Sequence, residues 1–324
     1  MMGRALITGV DGFVASHLTD YILDHEPDWD VYGTYRRLAD KSNILDRMNE
    51  ITILDMELTD PHSVLNAVKA AKPDKVFHLA GQSFVPSSWT SPAGTFETNA
   101  IGTVNILEAV RAVMCPRTYI QIAGSSEEYG LVHPFECPID EDLQPLRPLS
   151  PYGVSKVAAD LFGWQYARSY GMNITRTRSF NMTGPRRGEM FVTSDFAKQV
   201  ALIEKKKQKP MIVHGNLEAI RDFTDVRDSV RAYWLLSNMH GTGDVFNICS
   251  GNGHSMLDVM ETLLRLTYFE EKIEHRIDEK RLRPSDVPLL QGCSNKVRAA
   301  TGWTPEYLFE DTMKDLLDYW RERV

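Results

Sequence analysis

Only four cysteines occur in 324 residues, Cys115, Cys137, Cys249 and Cys293. They are too scattered for a disulfide framework, and no two stand at metal-site spacing, so a reducing compartment and no metal are expected. No stretch reaches the ~20 apolar residues that cross a bilayer. Met1-Met2-Gly3-Arg4 passes at once into Ala5-Leu6-Ile7, a run of strand length and far shorter than a secretory leader's core. The expectation is a cytoplasmic protein with no membrane partner. Positive charge is also short: 36 Lys plus Arg against 44 Asp plus Glu leave a formal net charge of −8. Nucleic acid selects a basic surface, so it is excluded as a partner, and any anionic ligand must be met by individually placed cations.

What is present is alternation. Ala5–Thr8, Asp30–Thr34, Ile51–Leu54, Lys75–Leu79, Tyr119–Ala123 and Asn173–Thr177 read as strands. Between them the apolar period lengthens to that of helices at Ser16–Leu23, Pro61–Ala71, Thr95–Val113 and Pro151–Tyr170. This predicts an α/β fold, a Rossmann-type doubly wound parallel sheet, with every loop after a strand opening on one ligand-binding edge. After Phe180 the alternation breaks down. A helix is predicted over Val192–Lys206, a strand at Val245–Ile248, and helices at Ser255–Thr267, Lys296–Thr301 and Phe309–Glu322. The division expected is a dinucleotide-binding domain over 1–180, to which the chain returns around 219–250, and a smaller mixed α/β substrate lobe from 181–218 and 251–324.

Thr8-Gly9-Val10-Asp11-Gly12-Phe13-Val14-Ala15 joins the first strand to the first helix, where a pyrophosphate would be cradled. Gly9 permits a tight turn, Gly12 permits close backbone approach, and the helix N-terminus supplies partial positive charge. An acid at the end of the second strand would accept hydrogen bonds from both ribose hydroxyls of NAD. Arg36-Arg37 stands there instead and suits a 2′-phosphate, so NADP rather than NAD is expected. Asp55-Met56 follows the third strand and is assigned to the adenine side. Leu79-Ala80-Gly81-Gln82-Ser83 follows the fourth and is assigned to the sugar–phosphate side.

Tyr152 and Lys156 stand at i and i+4 on one helical face. A close cation favours the phenolate, which predicts that Tyr152 takes a substrate hydroxyl's proton. Ser125 can donate to the reacting oxygen. Glu127 adds a second base, which a simple alcohol oxidation does not need but an elimination does. A noncatalytic dinucleotide sensor is the reading from another class, and it has no use for an intact Tyr152/Lys156 pair.

With these sites in place the chain resembles the extended short-chain dehydrogenase/reductases, more narrowly the GDP-mannose 4,6-dehydratases and the related GDP-4-keto-6-deoxymannose reductases. Arg36-Arg37, Leu79–Ser83, Ser125-Ser126-Glu127, Ser150–Val154, Pro185–Glu189, Phe191-Val192-Thr193 and Arg283-Pro284 match the dehydratase pattern. Gly215–Asp228 and Glu127-Glu128-Tyr129-Gly130 are equally at home among the reductases. The resemblance implies Glu127 as elimination base, Tyr152 and Lys156 as catalytic pair, and Arg187 as a cofactor contact. It further implies that Ser83, Ser125, Asn181, Val192, Lys198, Asn216, Arg221 and Arg283 hold a GDP-linked sugar, Arg221 and Arg283 sitting in turn-rich segments. A homodimer through Thr95–Val113 and Pro151–Tyr170, or a homotetramer, is implied as well. After Asn181 the dehydratase pattern reads His-Glu where this chain has Met182-Thr183.

Overall fold

A computed structural model of the chain describes residues 2–37, 39–113, 117–282 and 287–324. In chain order the first half runs β1 (Gly3–Thr8), α1 (Phe13–His25), β2 (Trp29–Tyr35), β3 (Thr52–Asp55), α2 (Pro61–Ala71), β4 (Lys75–His78), α3 (Val85–Thr90) and α4 (Pro92–Phe96). It continues with α5 (Gly102–Val113), β5 (Tyr119–Ser125), α6 (Pro151–Tyr170) and β6 (Ile174–Ser179). The second half runs β7 (Asn181–Thr183), α7 (Val192–Glu204), β8 (Met211–His214), β9 (Ile220–Asp225), α8 (Val226–Leu236) and β10 (Thr242–Ile248). Then follow β11 (Gly253–Ser255), α9 (Met256–Leu266), β12 (Glu274–Ile277), β13 (Leu289–Leu290), α10 (Asn295–Thr301) and α11 (Phe309–Arg323).

The large sheet has the order β10-β6-β5-β4-β1-β2-β3, parallel throughout. Both of its faces are covered, and the inner strands β1, β4 and β5 carry apolar runs, whereas the edge strand β3 has no buried residue. One face packs Leu6, Val76, Ile120 and Ile174 against Val64 and Val68 of α2, Ile106 and Leu107 of α5, and Tyr166 of α6. The other packs Ala5, Ile7 and Phe77 against Leu18 and Ile22 of α1 and Val230, Tyr233 and Trp234 of α8. Strand order reverses between β1 and β4, so the crevice between their carboxyl ends is the ligand position of such sheets. The smaller lobe holds β9 with β7, β11 and β13, a separate β8–β12 pair, and an apolar core of α7, α9 and α11.

Local signals explain the best-placed elements. Ser150 accepts from the Gly153 N–H at 3.0 Å, Pro151 opens α6, and Gly171 closes it in the left-handed region at φ 65°. Such a cap stabilises a helix by about 1 kcal/mol. The predicted Thr95–Val113 helix is interrupted: a π-helical turn at Glu97–Ile101 separates α4 from α5. That turn moves Asn99 inward.

Candidate active site

The crevice is pinned before any ligand arrives. Thr8 Oγ1, at the end of β1, accepts from the Leu79 and Ala80 N–H groups at 3.0 and 2.9 Å. His78 bridges Thr8 Oγ1 and Thr103 Oγ1 at 3.0 and 3.1 Å. Gly9 has φ +68°, and a Cβ there would lie 3.0 Å from Ala80 Cα, so the turn uses both freedoms of glycine. Gly12 begins α1 with no side-chain cap, leaving the N–H groups of Phe13 and Val14 facing the crevice end of the helix. Asn43 Nδ2 donates to Asp11 O at 3.0 Å and closes the outer side of the turn.

Arg36 and Arg37 leave β2 exposed and form no salt bridge with a described residue. Lys41 stands 4.2 Å over the Tyr35 ring, adding a third cation to this corner. Asp55 is exposed at the end of β3, and Met56 is buried with its N–H on Tyr35 O at 3.0 Å. An uncapped 13-residue helix, a glycine cradle that a Cβ would crowd and two unpaired guanidiniums together fit a phosphorylated dinucleotide.

The loop after β4 is held by Asn99. Its Oδ1 accepts from Gln82 N at 2.8 Å, and its Nδ2 donates to Gln82 O at 3.0 Å and Ser155 Oγ at 2.9 Å. A Cβ on Gly81 would meet Asn99 Oδ1 at 2.9 Å and Lys156 Nζ at 4.0 Å, which brings this loop onto the start of α6. Ser83 is exposed at the loop's far end. Sequence reasoning missed Asn99, because one polar residue in an apolar helical pattern carries no mark of pointing inward.

Tyr152 and Lys156 share the first turns of α6, both enclosed by the protein. Lys156 Nζ donates to Ala123 O at 2.9 Å and lies 5.9 Å from the Tyr152 ring centre. Burial pushes the Lys156 ammonium down to about 8, and the Glu128 carboxylate opposes that shift. Burial holds Tyr152 well above the usual phenol range, and the groups that lower it are the Ser125 hydroxyl and the Arg187 guanidinium, with Glu127 raising it.

The two neighbouring acids divide sharply. Glu127 is half-buried and its carboxylate makes no ion pair with a described residue. Glu128 is fully buried, accepts from Ser125 N at 2.7 Å and pairs with Arg178 Nε at 2.9 Å. Arg178 and Arg176 both reach Asp160 of α6, at 2.9 and 2.5 Å. The signal for this cluster is in the sequence: two arginines two residues apart on a central strand require buried carboxylates.

Arg187 spans the cleft. Its guanidinium lies 3.4 Å over the Phe191 ring and 5.0 Å from that of Phe13, and Phe191 meets Phe84 edge-on at 5.6 Å. No described acid pairs with it, and burial pushes it down to about 10. Beyond it, Asn181 opens β7 and Val192 opens α7, both half-buried. Lys198 is in an ion pair with Glu189. Asn216 Oδ1 accepts from Glu218 N at 2.9 Å. Arg221 lies within β9, a strand rather than the expected turn, and its Nη1 donates to Ile220 O and Val287 O at 2.9 and 2.7 Å. Arg283 falls outside the described residues. Cys137, Cys249 and Cys293 are free thiols, and no described helix is long and apolar enough to cross a membrane.

This geometry has close counterparts. The chain matches the family model described as GDP-mannose 4,6 dehydratase over residues 6–316. It is 31% identical over 324 residues to the GDP-6-deoxy-D-mannose reductase of Pseudomonas aeruginosa, covering 100% of this chain and 99% of that protein. It is 32% identical over 330 residues to GDP-mannose 4,6 dehydratase 2 of Arabidopsis thaliana, covering 97% and 86%. Among solved structures, that of RMD from Pseudomonas aeruginosa complexed with NADPH superposes with a TM-score of 0.85 at 30% identity, covering 100% and 99%. The UDP-glucose 4-epimerase of Thermus thermophilus complexed with NAD does so at 0.86 and 27%, covering 99% and 100%. The chain belongs to the GDP-mannose 4,6-dehydratase family, on the extended short-chain dehydrogenase/reductase fold.

Proposed function

We infer that the protein is an NADP-dependent GDP-mannose 4,6-dehydratase. The observation that carries this reading is Glu127, a carboxylate free of any ion pair with the described residues and felt electrostatically by the Tyr152 phenol. Thr8–Val14 and Leu79–Ser83 would hold the dinucleotide's phosphates and ribose, Arg36 and Arg37 its 2′-phosphate, and Arg187 its inner end. When bound, NADP supplies a reversible two-electron acceptor that takes hydrogen from C4 of the hexose and gives it back at C6. Tyr152 removes the C4 hydroxyl proton while Ser125 donates to the same oxygen and Lys156 stabilises the phenolate that forms. The ketone at C4 acidifies C5. Glu127 then removes the C5 proton and delivers it to the departing C6 hydroxyl, which leaves as water. When the hydride returns at C6, C5 takes up one proton from the solvent-exchanging pool that Tyr152 refills with the proton it removed from the C4 hydroxyl, so both groups end as they began. Asn181, Val192, Lys198, Asn216, Arg221 and Arg283 are assigned to the sugar nucleotide. The exposed Ile101, Leu161 and Trp164 on and beside α5 and α6 support a homodimer through these helices.

A second reading, reduction of a GDP-4-keto-6-deoxy sugar by NADPH, is favoured by the end-to-end match with the Pseudomonas reductase. Incubation with GDP-mannose and a trace of NADP separates the two. The dehydratase is expected to convert the sugar many times over per cofactor. Consumption of NADPH one-for-one with a keto-sugar, and no conversion of GDP-mannose, would give the site to the reductase.

A further inference from the structure

The cluster beneath the reacting centre has no part in the steps above, yet through Glu128 it holds a group that does. Glu128 accepts the Ser125 N–H at 2.7 Å while Ser125 Oγ accepts the Glu127 N–H at 3.2 Å. These two bonds form a reciprocal cap on the single 3-10 turn Ser126–Glu128. The cap fixes where Ser125 and Glu127 point. Gly124 is part of the same fit, since a Cβ there would lie 2.3 Å from Glu128 Oε1 and 2.6 Å from Thr177 O. On its far side Glu128 is fastened by Arg178, which Asp160 fastens in turn.

Stability alone is a poor reason for this arrangement. A buried ion cluster gains little over well-packed apolar side chains. Asp160 Oδ1 and Arg178 Nη1 are moreover buried without partners, a cost that an apolar set would avoid. Burial, with Asp160 adding to it, holds the Glu128 carboxyl well above the usual carboxylate range, against Arg178, the Ser125 N–H and Lys156, which lower it. Three cations, Arg176, Arg178 and Lys156, act on the Glu128 carboxyl, and Arg178 Nε sits 2.9 Å from its Oε2. Around the reacting pair the remaining titratable groups are His78, which senses Lys156 from β4, and Glu127 and Arg187, which act on Tyr152.

We propose that Glu128, locked by Arg178, is a positioning residue of the active site. It orients the Ser125–Glu127 turn against α6, holding the Ser125 N–H two residues from the Ala123 carbonyl on which the Lys156 ammonium rests. The proposal rests on the catalytic roles given above to Ser125, Glu127 and Lys156.

Two variants divide its functions. Glu128→Gln keeps a carbonyl oxygen for the Ser125 N–H but removes the charge, and Glu128→Leu removes both. Turnover is expected to fall about 10-fold in the first and about 100-fold in the second, with KM for the sugar nucleotide changed less than about 2-fold, since a misplaced group costs kcat rather than binding. The sign of the pH effect is fixed. Glu128 raises Lys156, so its neutralisation lowers the pH at which Lys156 loses its proton, and the alkaline limb of the kcat profile moves down. Carbon-13 NMR of the reductively methylated protein, with Lys156→Arg assigning the signal, follows the same titration without any substrate. An unmoved Lys156 titration together with kcat within 2-fold of wild type in both variants overturns the proposal. A shifted Lys156 titration in a protein that turns over no GDP-hexose supports the electrostatic contact and rejects the functional reading instead.

Discussion

The corner after β1 and β2 and the smaller lobe hold their cations in opposite ways. In the first, the turn after β1 is held by Thr8, His78 and Asn43, and Arg36 and Arg37 extend from β2 with no acid bridging them among the described residues. In the second, the cations are already engaged: Lys198 with Glu189, Arg281 with Asp195, and Arg221 with main-chain oxygens. A preformed corner loses little on binding, whereas under the function proposed above the lobe would exchange internal partners for ligand oxygens. Under the proposed function, the difference predicts that affinity for the dinucleotide is set by the fold and affinity for the sugar nucleotide by competition within the lobe.

Removing the unpaired cations breaks the first half of that contrast. The double substitution Arg36→Ala, Arg37→Ala is expected to weaken NADP binding roughly 10- to 100-fold, the value of one or two charge-assisted hydrogen bonds, and to leave NAD binding nearly unchanged. Calorimetric titration with each dinucleotide reads both numbers, and equal losses for the two would place the 2′-phosphate elsewhere. Releasing an engaged cation sharpens the second half. Glu189→Gln frees Lys198, so KM for the sugar nucleotide is expected to fall a few-fold with kcat unchanged. Because this pair is exposed, stability should move by less than about 0.5 kcal/mol. Steady-state kinetics and a thermal melt suffice, and an increased KM would mean that Glu189 itself holds the substrate.

The same two regions differ in how far the sequence reveals them. Strands β1, β4 and β5 lie inside the sheet and are largely buried, so each carries an apolar run, and the glycine turn, the Tyr152/Lys156 pair and the Pro151–Tyr170 helix are marked by local chemistry. The lobe's strands are short and weakly patterned. All four residues of Glu274–Ile277 are exposed, and Asn181–Thr183 pairs only with β9, so no two-residue period exists to be seen. Helix α8 carries a legible apolar face, Val226, Val230 and Tyr233 at helical spacing and buried against α1, which the sequence reading above leaves unassigned. Glu127 and Glu128 are indistinguishable as neighbours in sequence, and only the register of β6 beside β5 tells them apart. Gly124 is paired with Arg178 in that register, which sets the guanidinium where Glu128 turns in.

The account stands most directly on which base reaches the C5 proton. Running the reaction with GDP-mannose and NADP in deuterium oxide, and reading the recovered sugar by NMR, measures that step alone. Wild-type protein should place deuterium at C5, and Glu127→Gln should reduce the incorporation rate by about 10²-fold or more while still binding NADP. Undiminished C5 exchange in Glu127→Gln, or none in the wild type, would contradict the elimination assigned to this carboxylate.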